Sequence, residues 1–490
     1  MQWRALFPSR PAAWAWAAPW ALWALATLAR AQALPPTVGA ALERAKVPRD
    51  AVALLLVDAQ GQEPARLDHR STVAMNPASV MKLVTTFAAL ELLGPAYTWS
   101  TPVYADAALR DGTLHGNLYI QGQGDPKLVI ERLWLLLRRV QALGIQQIDG
   151  DIVLDRSAFE LPSSDPARFD GEPLRPYNAS PDALLINYKS VLITLTPDPA
   201  AKRAHIAYEP ALYGVQMQPS VPLQGGDCAD YRGALRADDS DASRMRFGGA
   251  YPASCGEKVW PVAYAEPARY AERALQALWL GLGGKLTGSV RAGTLPIALA
   301  AGRPLLRLES PALAEVVRDI NKYSNNVMAQ QLFLTLARNA PGEAVGGAPG
   351  APPVPATFEG ARAVLQGWWN ERIGADEALV LDNGSGLSRS ERVSARGLAR
   401  LLQSAYVSPL MPELMASLPI SGIDGTLRRS RSRASGYAHL KTGSLHDVLA
   451  LAGFIHAPGG KRYVLVALVN HPNAQAARPA LDALVEWAAQ

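Results

Sequence analysis

The stretch Asn76-Pro77-Ala78-Ser79-Val80-Met81-Lys82 decides the reading of this chain. Asn-Pro is a turn signal. The mostly apolar run from Met81 to Leu93, closed by Gly94-Pro95, predicts a helix. Ser79 and Lys82 therefore fall one turn apart at a helix start, on one face. Just upstream, Ala51-Val52-Ala53-Leu54-Leu55-Leu56-Val57 is a short apolar run that reads as a buried strand. On its own, Ser-x-x-Lys is only a capping serine followed by a surface lysine.

Two more short signals follow downstream. Ser324-Asn325-Asn326 comes after Tyr323, in a stretch from Pro311 to Leu336 that reads as helical. Lys441-Thr442-Gly443, then Ser444, sits on an expected edge strand, His439 to Gly443. Strands Ala450 to His456 and Tyr463 to Asn470 follow, joined at Pro458-Gly459-Gly460, and Pro479 to Ala489 closes the chain as a helix. Singly, a Ser-Asn-Asn tract is often a polar cap, and Lys-Thr-Gly a β-turn with a surface lysine. Together and in this order, Ser-x-x-Lys, Ser-x-Asn and Lys-Thr-Gly match the active-site set of serine penicillin-binding proteins and β-lactamases.

Each residue type has a task in acyl transfer. Ser79 needs a base, and Lys82 serves only when neutral, so its pKa must be lowered; the helix start and Lys441 both push that way. Ser324 can relay a proton between the lysines and the leaving amine. The Asn326 amide can hold the substrate's peptide carbonyl. Thr442 and Ser444 hydroxyls can bind a terminal carboxylate, helped by Lys441, and Gly443 lets substrate backbone approach. The backbone N–H groups of Ser79 and Ser444 would form the oxyanion hole. The seven histidines suggest no Ser-His-Asp triad, and Gly384-Ser385-Gly386 lacks the spacing of a nucleophile elbow. His446 reads either as a pocket residue or as a plain loop histidine.

Composition sets the frame. At 490 residues the chain is too long for one core. A net charge of +5 is modest, and the densest basic group, Arg428, Arg429, Arg431 and Arg433, reads as a solvated loop, so no nucleic-acid partner is expected. Arg4 and Arg10, the uncharged stretch Ala12 to Ala29, and the small-x-small sites Ala29-Arg30-Ala31 and Ala31-Gln32-Ala33 read as a secretory leader over 1–31. The alternative is an uncleaved anchor, which is short for a span and weakened by Pro19. A soluble, periplasmic protein is expected, with peripheral membrane contact left open. Cys228 and Cys255 then read as a disulfide, with two buried thiols as the alternative. Metal-ligand spacings and phosphate-cradling loops are lacking, so no metal and no cofactor are expected. Between the first two motifs, residues of about 99–300 change texture and read as inserted material with its own cores. Gly342 to Pro355 reads as a surface loop.

The resemblance is wider than three tripeptides. Asp382-Asn383-Gly384-Ser385-Gly386-Leu387-Ser388-Arg389, Gly122-Gln123-Gly124-Asp125-Pro126, Gly422-Ile423-Asp424-Gly425-Thr426-Leu427, and Ala452-Gly453-Phe454 after Ser444-Leu445 are similar to segments of one family. The chain, from about residue 35 to its end, resembles the low-molecular-mass class C penicillin-binding proteins, the peptidase S13 family of D-alanyl-D-alanine carboxypeptidase/endopeptidases. The resemblance implies an α/β fold: a transpeptidase domain of antiparallel sheet flanked by helices (34–98 and 300–490), an inserted domain (99–184 and 257–299) and a third nested within it (185–256). It implies hydrolysis of D-Ala-D-Ala termini and of D-alanyl–diaminopimelyl crosslinks in peptidoglycan stem peptides, and acylation of the same serine by β-lactams. It also implies that Arg389 contacts the free end of the stem peptide. Tyr177, with Asp170 or Glu172, would complete that pocket, and His446 stands where some relatives have Gln. Competing readings are a β-lactamase, for which no clear Glu-containing deacylation loop is present, and a wall-binding protein without catalysis.

Overall fold

The computed structural model describes residues 34–490 apart from 239, 340–353 and 431. The expected leader, most of the Gly342 to Pro355 loop, and Arg431 lie outside the described residues.

The apolar runs near both ends of the chain meet in one five-stranded antiparallel sheet. Its order is Leu67–His69, Val52–Asp58, Arg462–Asn470, Val448–His456, Ala438–Leu445. These strands lack polar alternation because both faces are covered. In Val52–Asp58, Ala53 and Leu55 enter one core while Val52, Leu54 and Leu56 enter the other. Val464, Val466 and Leu468 likewise face the first core, and Leu465, Ala467 and Val469 the second. Each such Val or Leu contributes roughly 1.5–3 kcal/mol by leaving water. The second core is capped by the helices Pro36–Arg44 and Arg478–Ala488. The first is capped by Lys82–Leu93, Leu313–Tyr323, Asn326–Arg338, Phe358–Trp369 and Ala395–Tyr406.

Lys82–Leu93 is the central helix, buried without a break from Lys82 to Leu90, which accounts for its lack of a polar face. The stretch from Pro311 to Leu336, expected as helical, is two helices. Ser324 takes a left-handed conformation (φ 57°, ψ 37°) as the cap of Leu313–Tyr323, and the Asn325 side chain accepts from Met328 N to start Asn326–Arg338. Such a backbone costs about 1–3 kcal/mol. It turns Ser324 and Asn326 toward one point.

Between Trp99 and Ser310 the chain builds separate sheets. Val290–Ala292, Ile152–Asp155, Leu118–Gln121, Ser100–Ala105 and Leu306–Glu309 form one, with the helices Ile130–Ala142 and Tyr270–Gly281 beside it. Tyr251–Pro252, Ser220–Gln224, Arg203–Glu209, Ser190–Asp198 and Lys258–Ala263 form another. Leu306–Glu309 pairs with Ser100–Ala105, and Lys258–Ala263 pairs with Ser190–Asp198. A single apolar cluster runs from Val103 to Leu308, so the inserted segment shares a core across both sheets. Cys228 and Cys255 are joined by a disulfide. Among the described residues, no helix is long and apolar enough to cross a membrane.

Candidate active site

The turn Ala78–Met81 carries Ser79 over the edge of the main sheet. Two glycines admit it. A Cβ on Gly386 would lie 2.0 Å from Ala78 O and 2.7 Å from Ser79 Cα, and one on Gly443 would lie 2.5 Å from Pro77 O. The closeness expected of Gly443 toward substrate is thus used, in this structure, by the protein's own backbone. Asn76, buried, ties the turn down. Its Oδ1 accepts from Ala78 N (2.8 Å), its Nδ2 donates to Ser388 O (2.9 Å), and its N–H and C=O pair with the Asn470 amide.

Lys82 is fully buried, and its Nζ lies 2.9 Å from Ser79 Oγ and 2.7 Å from Asn326 Oδ1, with the Ser385 carbonyl as a third, very close neighbour. Burial holds its amine well below the ordinary range; Lys441 adds to that and the Glu391 carboxylate opposes it. A neutral amine has two N–H groups and a lone pair. It can donate to Asn326 and Ser385 and accept the Ser79 proton. Lys441, also fully buried, donates to Ser324 Oγ (2.9 Å) and to Thr442 O (2.8 Å), and burial lowers it to about 7. Hence the three sequence signals converge: Lys82 joins Ser79 to Asn326, and Lys441 joins Ser324 to the edge strand.

The edge strand Ala438–Leu445 presents Thr442, whose Oγ1 lies 2.8 Å from Thr426 Oγ1, and the exposed Ser444, whose Oγ donates to Gln475 Oε1 (3.3 Å). Thr426 is placed by its own segment: Gly425 packs against Lys322 O, and Lys322 pairs with Asp424 at 2.5 Å. His446 is exposed in the turn before Val448–His456.

A model of the D-Ala-D-Ala carboxypeptidase 3 (S13) family matches residues 36–490. The chain belongs to that family. It is 28% identical over 415 residues to a D-alanyl-D-alanine carboxypeptidase of Actinomadura sp. (strain R39), spanning 81% of this chain and 73% of that one. It is 26% identical to the D-alanyl-D-alanine carboxypeptidase DacB of Haemophilus influenzae, spanning 82% of each. The crystal structure of penicillin binding protein 4 (dacB) from the same organism superposes with a TM-score of 0.69 at 25% identity, covering 92% of this chain and 99% of that one. The family and these relatives make this S13 protein a serine-type D-Ala-D-Ala carboxypeptidase with the α/β penicillin-binding-protein fold.

Other parts of the S13 site escape motif reading. Glu391 is wholly buried; its Oε1 accepts from Gly384 N (2.9 Å), Asn383 N (3.2 Å) and Asp382 N (3.3 Å). It thereby shapes the turn that offers Ser385 O to Lys82, and burial raises its carboxyl to about 7. An acid in a Gly- and Ser-rich turn was the available signal. Arg389 is exposed at the rim of a cleft of about 870 Å³. Its Nη2 donates to Phe169 O (3.2 Å) and its guanidinium lies over the Phe169 ring, 5.0 Å from the centroid. The aromatic against Arg389 is thus Phe169 rather than Tyr177. The Tyr177 hydroxyl is drawn away to Asp170 Oδ2 (2.8 Å), while its backbone carbonyl accepts from Asn326 Nδ2 (3.1 Å).

Proposed function

We propose that Ser79 is the nucleophile of a periplasmic DD-peptidase that cuts both D-Ala-D-Ala termini and D-alanyl–diaminopimelyl crosslinks of peptidoglycan, and that β-lactams acylate it. The observation that carries this is the buried Lys82 amine 2.9 Å from Ser79 Oγ with no carboxylate paired to it among the described residues. Lys82 takes the Ser79 proton as Oγ attacks the penultimate D-Ala carbonyl. The N–H groups of Ser79 and Ser444 receive the oxyanion. The C–N bond then breaks, and Ser324 passes a proton to the leaving amine while taking one from Lys441, which is hydrogen-bonded to it. Water attacks the ester by the reverse path and frees Ser79. Asn326 orients the acyl-side amide, Thr442 and Ser444 hold the carboxylate beyond the scissile bond, and Gly443 keeps the strand close to the Ser79 turn. Arg389, beside Phe169, receives the free end of the stem peptide, and Tyr177 and His446 border the acyl side. Residues 1–31 act as the export leader.

The crosslink-cutting half draws support from a solved endopeptidase of Bdellovibrio bacteriovorus with the same fold (TM-score 0.52, 16% identity). Digestion of purified muropeptides by wild type and Ser79→Ala tests the proposal. Wild type should release D-Ala from pentapeptides and monomers from crosslinked dimers, and the variant neither. Cleavage that persists in the variant means another nucleophile, and rapid turnover of penicillin means a β-lactamase.

A further inference from the structure

On the face of the edge strand opposite Lys441 lies a cavity of about 260 Å³. Leu440, Thr442 and Ser444 share that face and line it. Hydroxyls of Thr426, Ser430 and Ser432 line another wall, and Arg478 from the closing helix a third. Arg428 and Arg429 follow the lining residue Leu427 directly, and they, Arg433 and Arg478 are all exposed. Among the described residues, none of these four guanidiniums has a carboxylate in ion-pair reach. Elsewhere Arg156, Arg372, Arg396 and Arg400 are all paired. Two acids stand near. Asp482 lies one turn after Arg478 on the cavity wall, and Glu486 accepts from the Arg433 backbone N–H (3.0 Å). The cations outnumber them.

The chemistry of the two substrates separates at this place. A terminal D-Ala ends at its carboxylate, which Thr442 and Ser444 hold. In a crosslink the leaving amine belongs to a diaminopimelyl residue. Its carboxylate takes the same position, and its carbon chain continues into a second stem peptide bearing further carboxylates. That chain departs beside Thr442 and Ser444, which line the cavity. We propose that this hydroxyl-lined cavity and its arginine rim form the subsite for the departing anionic peptide of a crosslink. Arg478, Arg428 and Arg429 thereby favour crosslinked over terminal substrates. The inference rests on the crosslink-cutting half of the proposed function. Loose, unpaired guanidiniums at a rim suit an anionic strand that must leave after each turnover.

The test compares wild type, Arg478→Gln and the double variant Arg428→Gln/Arg429→Gln, each confirmed folded by thermal melting. Three readouts are needed: kcat/KM on a purified crosslinked muropeptide dimer, kcat/KM on a monomeric pentapeptide, and the rate of penicillin acylation. On the dimer, kcat/KM should fall roughly tenfold, mainly through KM, as expected for losing hydrogen bonds to a charged group. The pentapeptide and penicillin rates should change several-fold less. Salt should raise the dimer KM of wild type more steeply than that of the variants. Equal losses on dimer and pentapeptide, or no loss on the dimer, overturn the subsite. A wild type that is acylated and trims pentapeptides yet leaves dimers whole overturns the crosslink-cutting reading itself.

Discussion

Buried cations in this molecule are handled in two opposite ways. In the inserted segment, Lys189 is buried against Asp182 at 3.2 Å, and Arg156 spans Asp182 and Glu272. Those charges are neutralised where they stand, and they brace the fold. Under the main sheet, Lys82 and Lys441 are buried more completely and meet hydroxyls, an amide oxygen and backbone carbonyls instead. The nearest acid to influence Lys82, Glu391, is itself pushed to about 7 by burial. Paired burial yields a strut, whereas unpaired burial yields an amine held below its ordinary range and so readier to act as a base. The difference singles out Lys82 and Lys441 without reference to any motif, because Lys322 in the same half is buried against Asp424.

Removing the base breaks the comparison most severely. Lys82→Met should slow penicillin acylation by about 10²–10⁴-fold, the usual worth of a general base. Its melting temperature should hold or rise, because an unpaired buried amine is replaced by an apolar side chain. A steep fall in melting temperature would mean that Lys82 is a strut after all. The converse substitution, Lys189→Met, removes the nearer of the two cations paired with Asp182 and leaves Arg156 at 3.6 Å. It should cost about 3 kcal/mol of stability, read by denaturant unfolding, while folded protein acylates at nearly the wild-type rate. A smaller, sharper test is Glu391→Gln. The carboxylate favours the protonated form of Lys82, so its removal lowers the Lys82 pKa further. The acid limb of the acylation pH profile should then move to lower pH. Movement to higher pH would contradict the assigned sign.

The sheet was legible because its strands are continuous apolar runs, as a sheet covered on both faces requires. The convergence of Ser79, Lys82, Ser324, Asn326 and Lys441 was legible because each residue type has a distinct chemical task. What escaped was backbone. The break at Ser324 uses a left-handed serine where a glycine would have announced it. The Ser385 and Tyr177 carbonyls that touch the site leave no trace in side-chain identity. Asn76 reads as a turn residue until Ser388 and Asn470, each more than three hundred positions away, close around it. Phe169 and Tyr177 are both aromatics near acids in one polar stretch, and only the path of the chain decides which of them meets Arg389.

Mass measurement of the intact protein after brief exposure to benzylpenicillin, followed by peptide mapping, tests the central claim most directly. The account predicts one covalent adduct per chain, on the peptide containing Ser79, slow to disappear and absent from both Ser79→Ala and Lys82→Met over the same interval. An adduct on any other peptide, or one that forms at the wild-type rate in Lys82→Met, would contradict it.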